Sequence, residues 1–231
     1  MRKDGWLNMI RVAGVVAALI LVAMPAALGA SEADGEAQLA ALGKILDGID
    51  QRYADKGFSA AFYQASTLKA LGITDTATGR LTVKQPDKML WIYDAPETQT
   101  IVTDGAHLWI YRPVDNQVML GAAPTFFKDG KGASFLTDTR RVREQFHVSE
   151  VPPERADTIR LQLLPRAPKA DIARILVTVN PTTYEIVAIM TVNTQEDETL
   201  IELSGIVFSD SLPDSLFEFN IPEGVDIISL D

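Results

Sequence analysis

The residue types that most often carry out catalysis are scarce in this chain, and none of them forms a recognisable active-site pattern. The two histidines, His107 and His147, have no partners spaced as a metal site or a catalytic pair would require. Asp94 and Asp104 stand at the ends of expected strands, where an aspartate usually accepts hydrogen bonds from its own backbone. A carboxylate pair for acid–base chemistry is the less favoured alternative. We therefore expect no enzyme, with no catalytic residue, no metal ion and no cofactor.

Large apolar side chains, in contrast, are placed to bind an apolar ligand. Met89, Trp91 and Tyr93 alternate with other residues and therefore share one face of a strand. Leu81 and Val83, on the preceding strand, can line the same concave surface. Methionine suits such a surface because its flexible thioether adapts to varied apolar partners. The chemistry that this pattern indicates is the reversible burial of an apolar group.

These side chains lie in a segment, residues 79–112, that predicts three or four short β-strands. Turn residues separate the strands at Gln85-Pro86-Asp87, Asp94-Ala95-Pro96 and Asp104-Gly105. The tripeptide Trp91-Ile92-Tyr93 recurs as Trp109-Ile110-Tyr111, and for the second copy we favour ordinary structural packing. Apolar residues fall on both faces of each strand, which indicates that both faces are covered or line something.

The rest of the chain predicts further strands and two helices. Apolar residues recur at the helical period over residues 36–53, and residues 138–146 are interpreted as a second helix that covers an open sheet. A polar turn over residues 72–79 is expected after the strand that begins at Phe58. Later strands are expected at 118–120, 159–163, 175–179, 186–190, 200–203, 206–208 and 217–221. The expected fold class is mainly β with a few helices.

The first 29 residues have the features of a secretory signal peptide. Arg2, Lys3 and Arg11 form a basic region, and residues 12–24 are an uninterrupted run of apolar and small residues. Ala27 and Gly29 are small residues at the two positions that a signal peptidase reads, which favours cleavage after Gly29. An uncleaved membrane anchor is the less favoured alternative, because thirteen residues are too few to span a bilayer comfortably. Residues 30–231 are expected to form a single domain.

Composition narrows the possible partners. The chain has no cysteine, which excludes disulfides, thiol chemistry and a lipid-modified cysteine on the protein itself. The formal charge is −10, and because the signal segment contributes +2, the mature chain carries −12. We therefore expect no nucleic-acid partner and no attraction to anionic membrane surfaces.

Four motifs follow one another along the mature chain. They are Phe58-Ser59-Ala60-Ala61-Phe62-Tyr63-Gln64, then Gly79-x-Leu81-x-Val83-Lys84-x-Pro86-Asp87-Lys88-x-x-Trp91-x-Tyr93, then Ile101-Val102-Thr103-Asp104-Gly105-x-x-Leu108-Trp109-x-Tyr111, and finally Phe217-x-Phe219-x-Ile221-Pro222-x-Gly224-Val225. In this order they resemble the periplasmic outer-membrane lipoprotein carriers of the LolA family. The central block is the most specific part, whereas residues 159–208 match only in pattern.

The resemblance implies an open, bent antiparallel sheet, an incomplete β-barrel, with an N-terminal helix and a helical lid. It implies a protein of the periplasm, expected to be a monomer, that acts as a chaperone for lipoprotein transport. Such a carrier takes the acyl chains of a lipoprotein from an inner-membrane ABC transporter complex. It then passes this lipoprotein cargo to an outer-membrane receptor, where the organism has one.

The resemblance also assigns site residues. Eight apolar side chains are expected to bind the acyl chains: Phe62, Leu81, Val83, Met89, Trp91, Ile101, Phe135 and Leu136. Ser134-Phe135-Leu136 stands where the lid helix would begin.

Gln85 is a departure from the family pattern. Family members usually carry an arginine just before this proline, where it hydrogen-bonds to lid backbone. Glutamine donates hydrogen bonds but has no charge to strengthen them. We expect lid closure to be weaker here, or to be helped by Lys84 or by an arginine among Arg140, Arg141 and Arg143. The same three arginines have two other interpretations, a docking site for a partner or phosphate and a solvated helix face.

Two other functions stay open at this point. The same fold could bind or sense another amphiphile, such as a glycolipid, because fold alone does not fix the ligand. A hydrolase acting on a lipid-like substrate is the third possibility, but the sequence supplies no nucleophile–base pair for it.

Overall fold

A computed structural model of the chain describes residues 27–124, 136, 139–169 and 171–230. Within them, α1 spans Ala27–Tyr53 and α2 spans Arg141–Gln145, and two 3₁₀ helices span Pro113–Asp115 and Asp214–Phe217. The strands are β1 Gly57–Leu68, β2 Ile73–Lys84, β3 Lys88–Ala95, β4 Gln99–Thr103, β5 His107–Arg112, β6 Gln117–Ala122, β7 Phe146–Val151, β8 Ile159–Pro165, β9 Arg174–Val179, β10 Ile186–Val192, β11 Glu198–Ser209 and β12 Asp226–Ser229. The chain divides into two units, Met1–Gln38 and Leu39–Asp231. All of the described strands, and all of the contacts considered below, lie within the second unit.

The strands form one sheet in the order β12-β6-β5-β4-β3-β2-β1-β11-β10-β9-β8-β7. Neighbouring strands are antiparallel, apart from β12, which runs parallel to β6. Among the described strands, β12 and β7 are the two edges and do not pair with each other, so the sheet is open. The prediction of a mainly β fold with one open sheet is confirmed.

One face of the sheet, called the inner face from here on, packs against α1. Ile45, Ile49 and Tyr53 lie on one side of α1 and are buried in the same cluster as the inward-pointing strand residues. The hydroxyl of Tyr53 accepts a hydrogen bond of 2.9 Å from the backbone N–H of Ile186. Burial raises the pKa of Tyr53, so this phenol stays neutral. The C-terminal end of α1 is therefore fixed to β10.

The opposite face, called the outer face, is partly covered by the C-terminal segment, residues 210–225. Phe217 is fully buried, and the ring of Phe219 lies 5.7 Å from that of Tyr111 and 6.3 Å from that of Trp109. After this crossing the chain adds β12 to the edge of the sheet beside β6. The strands within residues 79–112 thus have apolar side chains covered on both faces, by α1 on the inner face and by the C-terminal segment on the outer face.

The expected helix over residues 36–53 lies inside α1, which begins earlier, at Ala27. Its first described residue precedes the predicted cleavage site, and cleavage after Gly29 stays a prediction. No helix among the described residues is both long enough and apolar enough to cross a membrane.

Several predicted boundaries are wrong. Residues 73–79 belong to β2 and pair with the end of β1, although their polar composition predicts a turn. The helix expected over 138–146 is limited to α2, because the chain turns at Phe146 to begin β7. The two strands expected at 200–203 and 206–208 are one strand, β11.

The strand expected at residues 217–221 is also wrong. The segment is a 3₁₀ turn ending at Phe217, followed by irregular chain, because its apolar residues pack flat on the outer face instead of pairing with a strand. The last strand, β12, lies further along and has no counterpart in the sequence-based expectations.

Candidate functional site

The inner face is a continuous apolar surface built by alternation along the strands. On β1, Phe58, Ala60 and Phe62 point inward and are buried, while Ser59 and Ala61 point outward. The same alternation places inward residues on β2, β3, β8, β9, β10 and β11 in one cluster with α1. This surface is therefore the largest concentration of apolar side chains in the described part of the chain.

Six of the eight predicted acyl-binding residues are buried members of this cluster: Phe62, Leu81, Val83, Met89, Trp91 and Leu136. Ile101 is partly buried and packs on the cluster's edge. Phe135 lies outside the described residues. The structure thus places seven of the eight on one surface, and their contact with acyl chains stays a prediction.

An aromatic group stands at the centre of the inner face. The ring of Phe62 meets those of Trp91 and Tyr93 nearly edge-on, at centroid distances of 5.0 and 4.9 Å. Tyr93 was not named by the sequence reasoning as an acyl-binding residue, although it stands two residues after Trp91 on the same face. Its hydroxyl donates a 3.0 Å hydrogen bond to Oε1 of Gln64, and burial raises its pKa.

Gly79 makes room for this aromatic group. It pairs with Phe62 across β1 and β2, and a β-carbon at this position would lie 2.7 Å from the Phe62 ring. The same atom would lie 2.0 Å from the carbonyl oxygen of Ile92, which real side chains do not tolerate. The glycine is therefore required so that β2 and β3 can pass directly behind the Phe62 ring.

Charged contacts join α1 to the segment around α2. Arg143 Nη2 lies 2.5 Å from Asp47 Oδ1 and 3.2 Å from Asp50 Oδ2. The buried Thr139 donates a 2.8 Å hydrogen bond to Asp50 Oδ1. These bonds attach residues 139–143 to α1. The Arg143 side chain is thus engaged within the protein, which argues against the free phosphate-docking interpretation.

The outer face carries a different surface. A concavity of about 790 Å³ lies over β1, β2 and β9–β11, and charged side chains form much of its lining. Three arginines there are paired with carboxylates: Arg80 with Asp94 at 3.1 Å, Arg155 with Asp157 at 3.1 Å, and Arg160 with Glu154 at 2.7 Å. An acyl chain would have to desolvate these charges, so the outer concavity is a poor lipid site.

The comparisons with known proteins agree with this arrangement. A family model described as "Outer membrane lipoprotein carrier protein LolA" matches residues 55–220. This chain belongs to the LolA family. The matched range begins just before β1 and ends within the segment that packs on the outer face, so it includes β1 to β11 but not β12.

Individual relatives are distant. The chain is 29% identical over 178 residues to the outer-membrane lipoprotein carrier protein of Nitrosospira multiformis, covering 74% of this chain and 81% of the relative. It is 24% identical over 210 residues to that of Hahella chejuensis, covering 91% and 97%. Among solved structures, an uncharacterized conserved protein from Thermus thermophilus shares the fold, with a TM-score of 0.52, 10% identity, and coverage of 82% of this chain and 99% of that chain.

Lys84, one of the two predicted lid-control residues of this LolA member, has partners on the C-terminal segment. Its Nζ lies 2.7 Å from the carbonyl oxygen of Leu212 and 2.6 Å from Asp214 Oδ1. Lys88 Nζ lies 2.9 Å from the same carboxylate. Hydrogen bonds from Lys84 and Lys88 lower the pKa of Asp214 to about 2. The expected lid segment is largely outside the described residues, so a lid role for Lys84 stays a prediction.

Gln85, the departure from the LolA pattern, lies in the turn between β2 and β3 and is partly buried. Within the described part of the chain its side chain has no hydrogen-bond partner. Two residues later, Asp87 accepts hydrogen bonds from both Nη atoms of Arg141, at 3.1 and 3.4 Å. The turn and the α2 segment are therefore joined by an ion pair in which α2 supplies the arginine and the turn supplies the carboxylate.

Proposed function

We propose that this chain is a periplasmic carrier that holds the acyl chains of lipoproteins on its inner face and transfers them from the inner membrane to the outer membrane. The observation that supports the proposal most strongly is a continuous apolar face on an open sheet, covered by one amphipathic helix, in a member of the LolA family. Its relatives carry the name outer-membrane lipoprotein carrier protein.

The apolar face supplies the driving force for such a carrier. Each buried methylene contributes about 0.8 kcal/mol relative to water, so several acyl chains do not cross an aqueous space without a protein. The inner face offers flexible and aromatic side chains, Met89, Trp91 and Phe62, which adapt to chains of different length. Adaptable packing favours release as well as binding, which a carrier needs.

Helix α1 is the element that cargo has to displace. Ile45 and Ile49 occupy the inner face, with Leu42 and Leu46 packed against its edge. Tyr53 and the pairing of Arg52 with Glu185 fix the C-terminal end of the helix beside β10. The bonds of Asp47 and Asp50, in contrast, are to Arg143 and Thr139 of the segment around α2. In the proposed function α1 pivots about its C-terminal end, and acyl chains replace its apolar side chains on the sheet. The apolar area of the sheet that α1 uncovers is then largely covered by the acyl chains.

The partners follow from the same proposal. A carrier of this kind receives cargo from an inner-membrane ABC transporter complex and delivers it to an outer-membrane receptor or directly to that membrane. The strongly acidic mature chain disfavours tight adsorption to anionic membranes, which suits a protein that has to leave each membrane after transfer.

The test is a binding measurement with a matched pair of variants. Material that co-purifies with the mature chain from a bacterial periplasm is identified by mass spectrometry, and triacylated lipoprotein is the expected finding. Free glycolipid or another small amphiphile alone would instead support the alternative of a binding or sensing protein.

In the same experiment, Ile101→Asp places a charge on the inner face and Val207→Asp places one on the exposed outer face, where Val207 is 63% exposed. We expect the first to reduce co-purifying lipoprotein at least tenfold and the second to leave it unchanged. Equal loss in both variants, or in neither, contradicts the assignment to the inner face.

A further inference from the structure

Directly paired residues form one apolar row across the inner face. The strand registers align Ala60, Leu81, Trp91, Ile101, Ile110, Met119 and Ile228, one residue from each of seven neighbouring strands, β1 to β6 and β12. Residues paired in this way point to the same face of a sheet. The row therefore runs perpendicular to the strands, from the centre of the sheet to its edge.

Burial along the row changes from one end to the other. Leu81 and Trp91 are buried in the cluster that contains α1, whereas Ile110 and Met119 belong to a second cluster that contains no α1 residue. Ile228, on the edge strand, is 41% exposed. Ile228 is thus the only residue of the row that is substantially exposed to solvent.

The length of the row fits its expected occupant. Six steps between neighbouring strands at about 4.8 Å give about 29 Å. A bilayer's hydrocarbon core of about 30 Å holds two leaflets, so one acyl chain extends about 15 Å. The row can therefore hold an acyl chain at each end or guide one chain along its length.

We propose that acyl chains lie along this row, across the strands, and enter it at the Ile228 end. The inference rests on the proposed carrier function and adds the direction of the chain and its point of entry. An acyl chain that enters at the edge meets apolar side chains continuously and meets α1 only when its methyl end reaches Trp91. No charged side chain interrupts the row. Ile228 and Met119 thereby become cargo-contacting residues that the sequence did not indicate.

The edge strand provides a matched pair of variants. Ile227, the neighbour of Ile228, is 58% exposed and points to the outer face. With a synthetic triacylated lipopeptide as the probe, we expect Ile228→Asp to raise Kd about tenfold and Ile227→Asp to change it less than twofold. Loss of β12 pairing would weaken binding equally in both variants, and such an equal effect would overturn the proposal.

A second measurement tests the direction without altering the row. The mature chain contains two tryptophans, and Trp109→Phe leaves Trp91 as the sole tryptophan, which can be excited selectively. Lipopeptides carrying bromines near the methyl end of an acyl chain are expected to quench Trp91 at least twice as strongly as those with bromines next to the carbonyl. Equal or reversed quenching contradicts entry from the edge. If the unaltered chain binds no lipopeptide, the proposed carrier function is wrong. If it binds lipopeptide but the expected effects of the variants and of bromine position are absent, the carrier function stands and the acyl chain does not lie along the row.

Discussion

Two copies of the same tripeptide, Trp91-Ile92-Tyr93 and Trp109-Ile110-Tyr111, have opposite orientations in the sheet. Trp91 and Tyr93 point to the inner face, where Trp91 is 4% exposed beneath α1. Trp109 and Tyr111 point to the outer face and pack against Phe219 of the C-terminal segment. In the second copy it is Ile110 that points inward.

The difference arises from register. Trp91 pairs with Ile101, and Ile101 pairs with Ile110, so Trp109 is one residue out of phase with Trp91. A shift of one residue moves a side chain to the other face of a sheet. Identical local sequence therefore places the tryptophan in the inner-face cluster in one strand and against the C-terminal segment in the other.

The largest expected effect separates the two tryptophans. Trp91→Ala is expected to lower the free energy of unfolding by about 3–5 kcal/mol, because it opens a cavity in the main cluster. Trp109→Ala removes only partly buried contacts and is expected to cost about 1–2 kcal/mol. Urea unfolding measures both values.

Lipopeptide binding is measured on the same two proteins under conditions where each stays folded. Binding should weaken in the Trp91 variant alone. If the Trp109 variant loses binding to the same extent, the two faces do not differ in function as proposed.

The next effect concerns the glycine behind the Phe62 ring. Gly79→Ala is expected to destabilise the protein by about 1–3 kcal/mol, since the new methyl group clashes with the Ile92 carbonyl and displaces Phe62 from Trp91. Thermal unfolding with near-ultraviolet circular dichroism reports both stability and aromatic packing.

Gly43→Ala is the matched control. Gly43 lies within α1 with open space around it, so the alanine should stabilise the protein slightly. Equal behaviour of the two variants would show that the aromatic group on the inner face does not depend on Gly79.

A smaller effect is expected at the contact between the β2–β3 turn and α2. Arg141→Gln removes the pair with Asp87, and exposed pairs contribute about 0.2–1 kcal/mol, so amide exchange over residues 139–145 should rise by up to about fivefold. Gln85→Arg in the same protein supplies a guanidinium close to Asp87 from within the turn and should reverse part of this change.

Hydrogen–deuterium exchange and acyl-probe affinity are measured for both variants. If Gln85→Arg changes neither quantity, position 85 does not control the lid in this protein.

The smallest effect is expected on the outer side, at Asp214. Because its pKa of about 2 lies below the value of about 3.9 in an unfolded chain, this carboxylate stabilises the fold above about pH 4 and loses that contribution as the pH falls through 2. The difference in unfolding free energy between the unaltered protein and Asp214→Asn should therefore narrow between pH 4 and pH 2. A difference that stays constant over this range, or grows, contradicts the pairing of Asp214 with Lys84 and Lys88.

Local sequence chemistry predicted many elements correctly. The turns at residues 85–87 and 104–106 follow from proline, aspartate and glycine; Asp104 indeed accepts hydrogen bonds from the backbone of Ala106 and His107 at 2.8 and 2.7 Å. The helical period predicted which side of α1 is buried, and alternation predicted that Met89 and Trp91 share one face of their strand.

Elements that depend on distant pairing were the ones missed. Residues 73–79 have a polar composition that does not indicate a strand. They belong to β2 because β1 extends far enough to pair with them. The edge strand β12 has four exposed residues, and its position is set by β6, more than a hundred residues earlier. Such long-range backbone pairing leaves little trace in local composition.

The sequence by itself determined the apolar alternation, the turns, the helical side of α1 and the family. The tertiary structure decided which face each strand presents, that Arg141 reaches Asp87, and that Ile228 continues the row begun by Trp91. Periodicity within a strand defines two faces of that strand, but only the register between strands decides which face packs against α1 and which against the C-terminal segment.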